Sequence, residues 1–484
     1  MSKIKQIQNL LEAKEISCVE LTKKYLSNIE EKNKEINAYV NITEEEALKT
    51  AKLVDEKIAT GEKLMPLEGI PMSLKDNIST KNIKTSCCSK MLKDYVPIYD
   101  ATVWEILKKQ NSILLGKTNM DEFAMGASTE SSYFGVTLNP HNTNYVAGGS
   151  SGGAAASVAG GLAAFGLATD TGGSIRQPAS FCGLVGFKPS YGSVSRYGAI
   201  AYASSLDQIG PITDSVEDAA IVYDSISIYD SKDSTSVGSK NTSHDKLNSS
   251  IKGIKIGVVK EYFEGLRDDI RKLMEDSIKV YQGLGAEIVD ITIPLLKANL
   301  PVYFITACAE ASSNMGRYDG IRYGYKTDSY NSIDEMICKN RSESLGKEVQ
   351  RRIMLGTYAL SSDRYDAYYK KAQKLRACIR RDFKKIFEEC SVILTPTAPT
   401  TAYALGQAVK DPIETYSMDI CTVPANIAGL PAISVPCGLA ENKLPVGMQL
   451  IGNRFEDYKV LNIAYQYEKE TKDQNRSLWQ EVEV

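Results

Sequence analysis

The sequence predicts an α/β protein built on a central mixed sheet. Three observations carry this. Short apolar runs of strand length alternate with longer stretches of helical periodicity along most of the chain. The composition, 43% hydrophobic and 24% charged, is that of an ordinary soluble globular protein. The chain carries no convincing internal repeat. At about 150 residues per domain, the 484 residues allow about three domains or one large α/β unit with insertions.

The elements follow in order. Ile4, Ile7, Leu10 and Leu11, then Leu21, Tyr25 and Ile29, recur at helical spacing among Lys and Glu, so the chain opens with amphipathic surface helices. This divides it into an N-terminal helical region, 1–65, and an α/β domain, 66–484. Leu67 to Ile78 is strand-like but interrupted by Gly69 and Pro71; a helix begins near Thr102, and Ser112 to Gly116 is the next strand. Gly148 to Gly173 is unusually rich in Gly, Ser and Ala. Tyr229 to Lys252, polar and poor in apolar residues, reads as an exposed loop. Strands follow at Ile254 to Val259, Ala286 to Ile293, Val392 to Leu394, Ile433 to Val435 and Val446 to Ile451. Asp268 to Leu284 and Lys347 to Glu389 are mainly helical.

Several functions are disfavoured at once. A formal charge of -3 leaves no basic excess to displace counterions from a nucleic acid, so any RNA is gripped mainly by another chain. Ten scattered cysteines, no CxxC pair and only two histidines offer no recognisable metal site and suggest reduced thiols in a cytoplasm. Met1 to Asn9 has no apolar signal core. The longest apolar stretch, Ala154 to Ala168, is shorter than the ~20 residues of a membrane helix, so neither secretion nor a membrane span is expected.

Two segments carry the chemistry: Gly148-Gly149-Ser150-Ser151-Gly152-Gly153 and Asp170-Thr171-Gly172-Gly173-Ser174-Ile175-Arg176. Glycine lets a substrate approach the backbone, and successive peptide N–H groups in such turns converge on an anion. No Lys-Ser/Thr pair follows, which excludes a P-loop. Gly148-x-Ser150-x-Gly152 also fits a nucleophile elbow, but Asn142 to Ala147 does not read as the buried strand that motif requires, and only His244 has the chain order for a Ser-Asp-His triad. A serine hydrolase without histidine needs another base. Lys75, in Gly69-Ile70-Pro71-Met72-Ser73-Leu74-Lys75-Asp76, offers one within an apolar run where burial would depress its pKa. A lysine near 10.4 must lose roughly 3 units, about 4 kcal/mol, to serve at neutral pH.

With Ser150 standing 75 positions after Lys75 and Ser174 a further 24 on, these three motifs resemble the amidase signature family. The resemblance implies a mixed sheet with helices on both faces, Ser174 as nucleophile, Ser150 as a bridging serine after a cis Gly149–Ser150 peptide, and Lys75 as base. Thr171, Gly172 and Gly173, with Ser174, would supply backbone donors to an oxyanion hole. Ser151 reads as support. Asp170 and Arg176 either orient the loop or simply brace the fold.

Gly116 to Gly126, Glu310 to Asn314, Arg351 to Gly356 and Ala428 to Pro436 are in turn similar to the glutaminase subunits of heterotrimeric tRNA-dependent amidotransferases. That likeness implies hydrolysis of glutamine and delivery of ammonia through a tunnel to a partner that amidates Glu-tRNA(Gln). The partners would be amidotransferase subunits B and C. ATP, Mg2+ and most tRNA contacts would belong to the partner, and this chain would need no cofactor or metal. By motif position, Arg352 would take the glutamine carboxylate, Asp419 its ammonium, and Tyr303 the pocket wall, with Arg351 and Phe304 as one-residue register alternatives. Arginine suits a carboxylate because its fork can bind both oxygens. The alternative is a free-standing amidase of other small amides, which would need the triad but not this clamp. Two departures from the family pattern stand out: Ala147 where proline is common, and Cys87-Cys88, which read as packing residues.

Overall fold

Eleven strands form one mixed sheet in a computed structural model that describes residues 2–238, 244–407 and 412–471. In chain order the strands are β1 (Tyr39–Ile42), β2 (Pro71–Lys75), β3 (Ile113–Thr118), β4 (Leu138–Asn139), β5 (Asn142–Val146), β6 (Phe165–Asp170), β7 (Val185–Lys188), β8 (Gln208–Thr213), β9 (Lys255–Val259), β10 (Glu287–Ile291), β11 (Val392–Pro396), β12 (Ala432–Leu439) and β13 (Pro445–Gly452). Their order across the sheet is β1-β3-β2-β6-β8-β7-β12-β13-β11-β9-β10, while β4 and β5 form a separate two-stranded hairpin.

Successive residues of a strand point to opposite faces, and they enter two different apolar cores. Leu394, Ile433 and Leu450 join one cluster with the Asp268–Gly283 and Asp457–Thr471 helices. Their neighbours Ile393, Ala432 and Ile451 join another with the Leu296–Asn314 and Lys371–Glu389 helices. Both faces of the sheet are therefore covered, as the resemblance implied, and its inner strands read as unbroken apolar runs rather than alternating ones.

The first 65 residues contribute three helices, Lys3–Glu12, Cys18–Ile36 and Glu44–Ala59, together with β1. Ile4, Ile7, Leu11, Leu21, Tyr25 and Ile29 belong to the larger core, and β1 pairs antiparallel with β3. These helices share the core of the sheet they cover. In the Tyr229 to Lys252 stretch, residues 239–243 lie outside the described ones. Elsewhere in it Tyr229 and Val237 are exposed, while Asp230 accepts hydrogen bonds from Thr102 and Ser195 Oγ, both 2.6 Å, and Asp233 pairs with Arg196 at 3.3 Å. Among the described residues no helix is long and apolar enough to cross a membrane.

The arrangement that matters for chemistry is local. β3, β2 and β6 are adjacent and mutually parallel, so their C-terminal ends emerge at one edge, the usual place for a site in such a sheet. These ends deliver Thr118 and then Asp121, Lys75, and Asp170 followed by the 171–174 loop.

Candidate active site

Lys75, the last residue of β2, has no solvent exposure. Its Nζ donates to Ser150 Oγ at 2.9 Å and to Ser151 Oγ at 2.7 Å, with Thr169 O at 3.4 Å. Burial pushes the amine down to about 7, against the opposing pull of Asp121, Asp170 and Asp207. That is the shift a lysine base requires, because desolvation penalises the charged form.

The serine loop is shaped by close packing. The Gly149–Ser150 peptide is cis, and a Cβ on Gly149 would lie 2.2 Å from Asp121 Oδ2, so only glycine fits there. Asp121 in turn accepts the Ser128 and Thr129 amides at 3.2 and 2.9 Å and the Ser131 hydroxyl at 2.8 Å. Ser151 has a more definite place than support: besides Lys75 it holds Thr169 O, at 3.1 Å. β5 does precede this loop, but it is the half-exposed strand of a hairpin rather than the buried strand of a nucleophile elbow.

Ser174 lies between β6 and the short Arg176–Phe181 helix. Gln177, in the first turn of that helix, accepts the Gly149 N–H at 2.9 Å, which brings the two serine loops together. The Ser174 side chain is nearly buried, and among the described residues its hydroxyl makes no hydrogen bond to Ser150 or Lys75. The direct contact among Lys75, Ser150 and Ser174 is thus that of Lys75 with Ser150.

Asp170 organises the second loop. Arg176 grips it with Nε and Nη2, both at 3.0 Å, and spends its remaining donors on Thr422 O, Gln449 Oε1 and Asn426 Oδ1. Burial alone would raise the Asp170 carboxyl; the guanidinium outweighs it and holds the group well below the usual carboxylate range. The ionised carboxylate then collects backbone donors, Gly173 N–H at 2.8 Å and Ile175 N–H at 3.2 Å. The pair therefore orients the loop and braces the fold at once. It also corrects one expectation. With its amide bound to Asp170, Gly173 is not free as an oxyanion donor, whereas the amides of Thr171, Gly172 and Ser174 donate to no protein acceptor among the described residues. The Thr171 side chain is anchored separately on Asp207 at 2.6 Å.

Tyr303, buried in the Leu296–Asn314 helix, packs on this loop: a Cβ on Gly172 would meet its hydroxyl at 2.4 Å. Arg352 is buried in the Lys347–Leu360 helix, while its neighbour Arg351 is partly exposed. The Arg352 guanidinium carbon sits 5.4, 5.6 and 5.5 Å from the ring centres of Tyr202, Phe304 and Tyr416. Phe304 thus contacts the guanidinium and Tyr303 the glycine loop. Although burial would lower it, the Arg352 guanidinium is held even more firmly protonated than usual by Tyr202 and Glu348. Asp419, in the Met418–Cys421 turn and still partly accessible, has its carboxyl pushed up to about 7 by burial, with Arg352 pulling the other way.

The histidines take other parts: His141 contacts Cys182 O at 2.9 Å and His244 contacts Asp224 at 2.5 Å. Cys87 and Cys88 are buried, and burial drives both thiols well above their ordinary pKa, the state of unreactive packing residues. Sequence reasoning missed Tyr202, Glu348, Gln177 and Asn426; they lie far from the motifs in the chain or carry no local pattern that marks them.

A desolvated amine held against a serine, beside a glycine loop with unspent amides, is an arrangement that can support hydrolysis of an amide. The chain belongs to the amidase signature family, whose model, described as Amidase, matches residues 20–461. It is 55% identical over 471 residues to the A subunit of glutamyl-tRNA(Gln) amidotransferase from Thermoanaerobacter pseudethanolicus, covering 97% of this chain and 96% of the relative. It is 52% identical over 469 residues to the protein of the same name from Carboxydothermus hydrogenoformans, covering 96% of each. Among solved structures it is similar to the A subunit of the Thermotoga maritima amidotransferase, with a TM-score of 0.78 and 41% identity over 93% of each chain. A bacterial aryl acylamidase of the amidase signature family has a TM-score of 0.85 at 26% identity over 99% of each chain.

Proposed function

We propose that this chain is the glutaminase component, the A subunit, of a heterotrimeric glutamyl-tRNA(Gln) amidotransferase. It would act in the cytoplasm with subunits B and C. Glutamine is its own substrate; ATP, Mg2+ and most of the tRNA are handled by the partner. The reading is supported by extensive similarity to proteins of that name.

In this reading neutral Lys75 takes the Ser150 proton while Ser150 takes that of Ser174. Ser174 Oγ then adds to the side-chain amide carbon of glutamine. The oxyanion is met by the amides of Thr171, Gly172 and Ser174, each well-placed donor being worth about 3–4 kcal/mol. Proton return through Ser150 expels ammonia, and water hydrolyses the glutamyl ester to glutamate. Arg352 faces the α-carboxylate. Asp419 takes the α-ammonium: a carboxyl raised to about 7 by burial gains from a cation at its side. Tyr303 closes the wall.

The observation that carries the chemistry is the buried Lys75 amine 2.9 Å from Ser150. The test is Ser174→Ala in the assembled complex: glutamine-dependent amidation of Glu-tRNA(Gln) is lost while amidation from added ammonia survives. Loss of both in a correctly assembled complex, or retention of glutamine use, would contradict the proposal.

A further inference from the structure

The substrate clamp has two charged ends on different elements, and one side chain bridges them. Glu348 and Arg352 are four residues apart in the Lys347–Leu360 helix, so they share a face. Glu348 Oε1 accepts from Arg352 Nε at 2.8 Å and, on the same oxygen, from the Tyr416 hydroxyl at 2.8 Å. Tyr416 stands three residues before Asp419 in the chain. The second Glu348 oxygen, Oε2, is held by Arg351. Arg352 Nη1 donates one of its two N–H groups to Tyr202 at 2.6 Å, which leaves the other and the two on Nη2 for a ligand.

From this geometry we propose, resting on the glutaminase reading, that Glu348 is a positioning residue that fixes the distance between the carboxylate-binding and ammonium-binding ends of the clamp. A second carboxylate beside a carboxylate-binding arginine is otherwise a liability, because it competes for the same cation. An exposed pair of this spacing contributes only about 0.3–0.5 kcal/mol to stability. Here Arg352 is nearly buried and three aromatic rings surround it, so the pair acts on direction more than on stability. With Nε and one Nη1 N–H committed, the guanidinium cannot swing, and its remaining N–H groups on Nη1 and Nη2 face the ligand in one fixed direction. Through Tyr416 the same oxygen ties down the segment leading to Asp419. An α-amino acid must satisfy both ends at once, so a clamp of set spacing selects glutamine over amides that carry only one of the two groups.

The test uses the full chain in its complex, with Glu348→Ala and Glu348→Gln variants. Glutamine hydrolysis is followed by ammonia release, and the triad is read separately by the rate at which a phosphonofluoridate labels Ser174 without glutamine. For Glu348→Ala the expected result is a rise in KM of at least about tenfold, about 1.4 kcal/mol, with kcat within threefold of the parent and the labelling rate unchanged. Glu348→Gln keeps the shared oxygen and should recover most of the parent KM. An unchanged KM in Glu348→Ala overturns the proposal. So does labelling that falls in step with glutamine hydrolysis, which would mark a general structural defect, and so does failure of Glu348→Gln to rescue. A parent complex that labels at Ser174 but releases no ammonia from glutamine refutes the glutaminase reading itself, and is told apart because the parent, not the variant, fails.

Discussion

Replacing Lys75 by methionine should abolish glutamine hydrolysis and, over a defined pH range, make the protein relatively more stable. The amine is ordinary at 10.5 in the unfolded chain and about 7 in the folded one, a gap of 3.5 units that corresponds to about 5 kcal/mol. Between these values the unfolded chain holds a proton that the folded chain has lost. Stability of the parent therefore rises with pH through the window, at about 1.4 kcal/mol per unit where the difference is a full proton. Methionine has a similar length and no titration, so Lys75→Met lacks this slope. Near pH 7.5 the variant gains from not burying an amine and loses its hydrogen bonds to Ser150 and Ser151, each worth about 1 kcal/mol net. The change with pH is cleaner, because other titrating groups cancel between the two proteins. Denaturant unfolding at pH 7.5 and 9.5 should show the variant's relative advantage shrinking by about 2.5 kcal/mol. A difference that stays constant over this range would mean that the Lys75 pKa is not depressed, and the base assignment would fall with it.

Two further outcomes follow from the loops. Asp170→Asn leaves Arg176 buried without its counter-ion and should cost about 3–5 kcal/mol in denaturant unfolding, together with a large fall in kcat as Gly173 and Ile175 lose their anchor; an unchanged kcat would show that the loop does not need it. Gly172→Ala puts a methyl 2.4 Å from the Tyr303 hydroxyl, and overpacking of this kind costs about 1–3 kcal/mol. The KM for glutamine should rise about tenfold, and a KM equal to the parent's would remove Tyr303 from the pocket wall.

The parts of the site legible in the sequence are those where backbone geometry demands particular residues in a row. Gly149 is fixed by the approach of Asp121 and Gly172 by Tyr303, so the two glycine loops stand out, and Lys75 stands out as a charge within an apolar run. β2, β3, β9, β10, β11, β12 and β13 lie within or close to the runs read as strands. β6 is harder to see because its Phe165–Asp170 segment continues the Gly/Ala-rich stretch of the preceding helix, Gly152–Ala159, with no break in composition. β1 hides between two long helices and is a strand only because β3 offers it an edge. The same holds for partners across the chain. Arg176 is 273 positions from Gln449 and 250 from Asn426, and Arg352 is 150 from Tyr202, so only the folded chain joins them. The fate of the Gly173 amide is hidden for a different reason: a glycine loop displays donors, but which one turns inward depends on the carboxylate beneath it.

Activation of Ser174 through Ser150, as proposed, requires a lysine that is neutral near physiological pH. This requirement is read out in the rate of phosphonofluoridate labelling as a function of pH, with the labelled residue identified by mass spectrometry. The expected result is a single label on Ser174 and a rate that climbs with pH to a plateau, with a midpoint near 7, and that Lys75→Met suppresses. A rate independent of pH between about 6 and 9, or a label on any other residue, would contradict it.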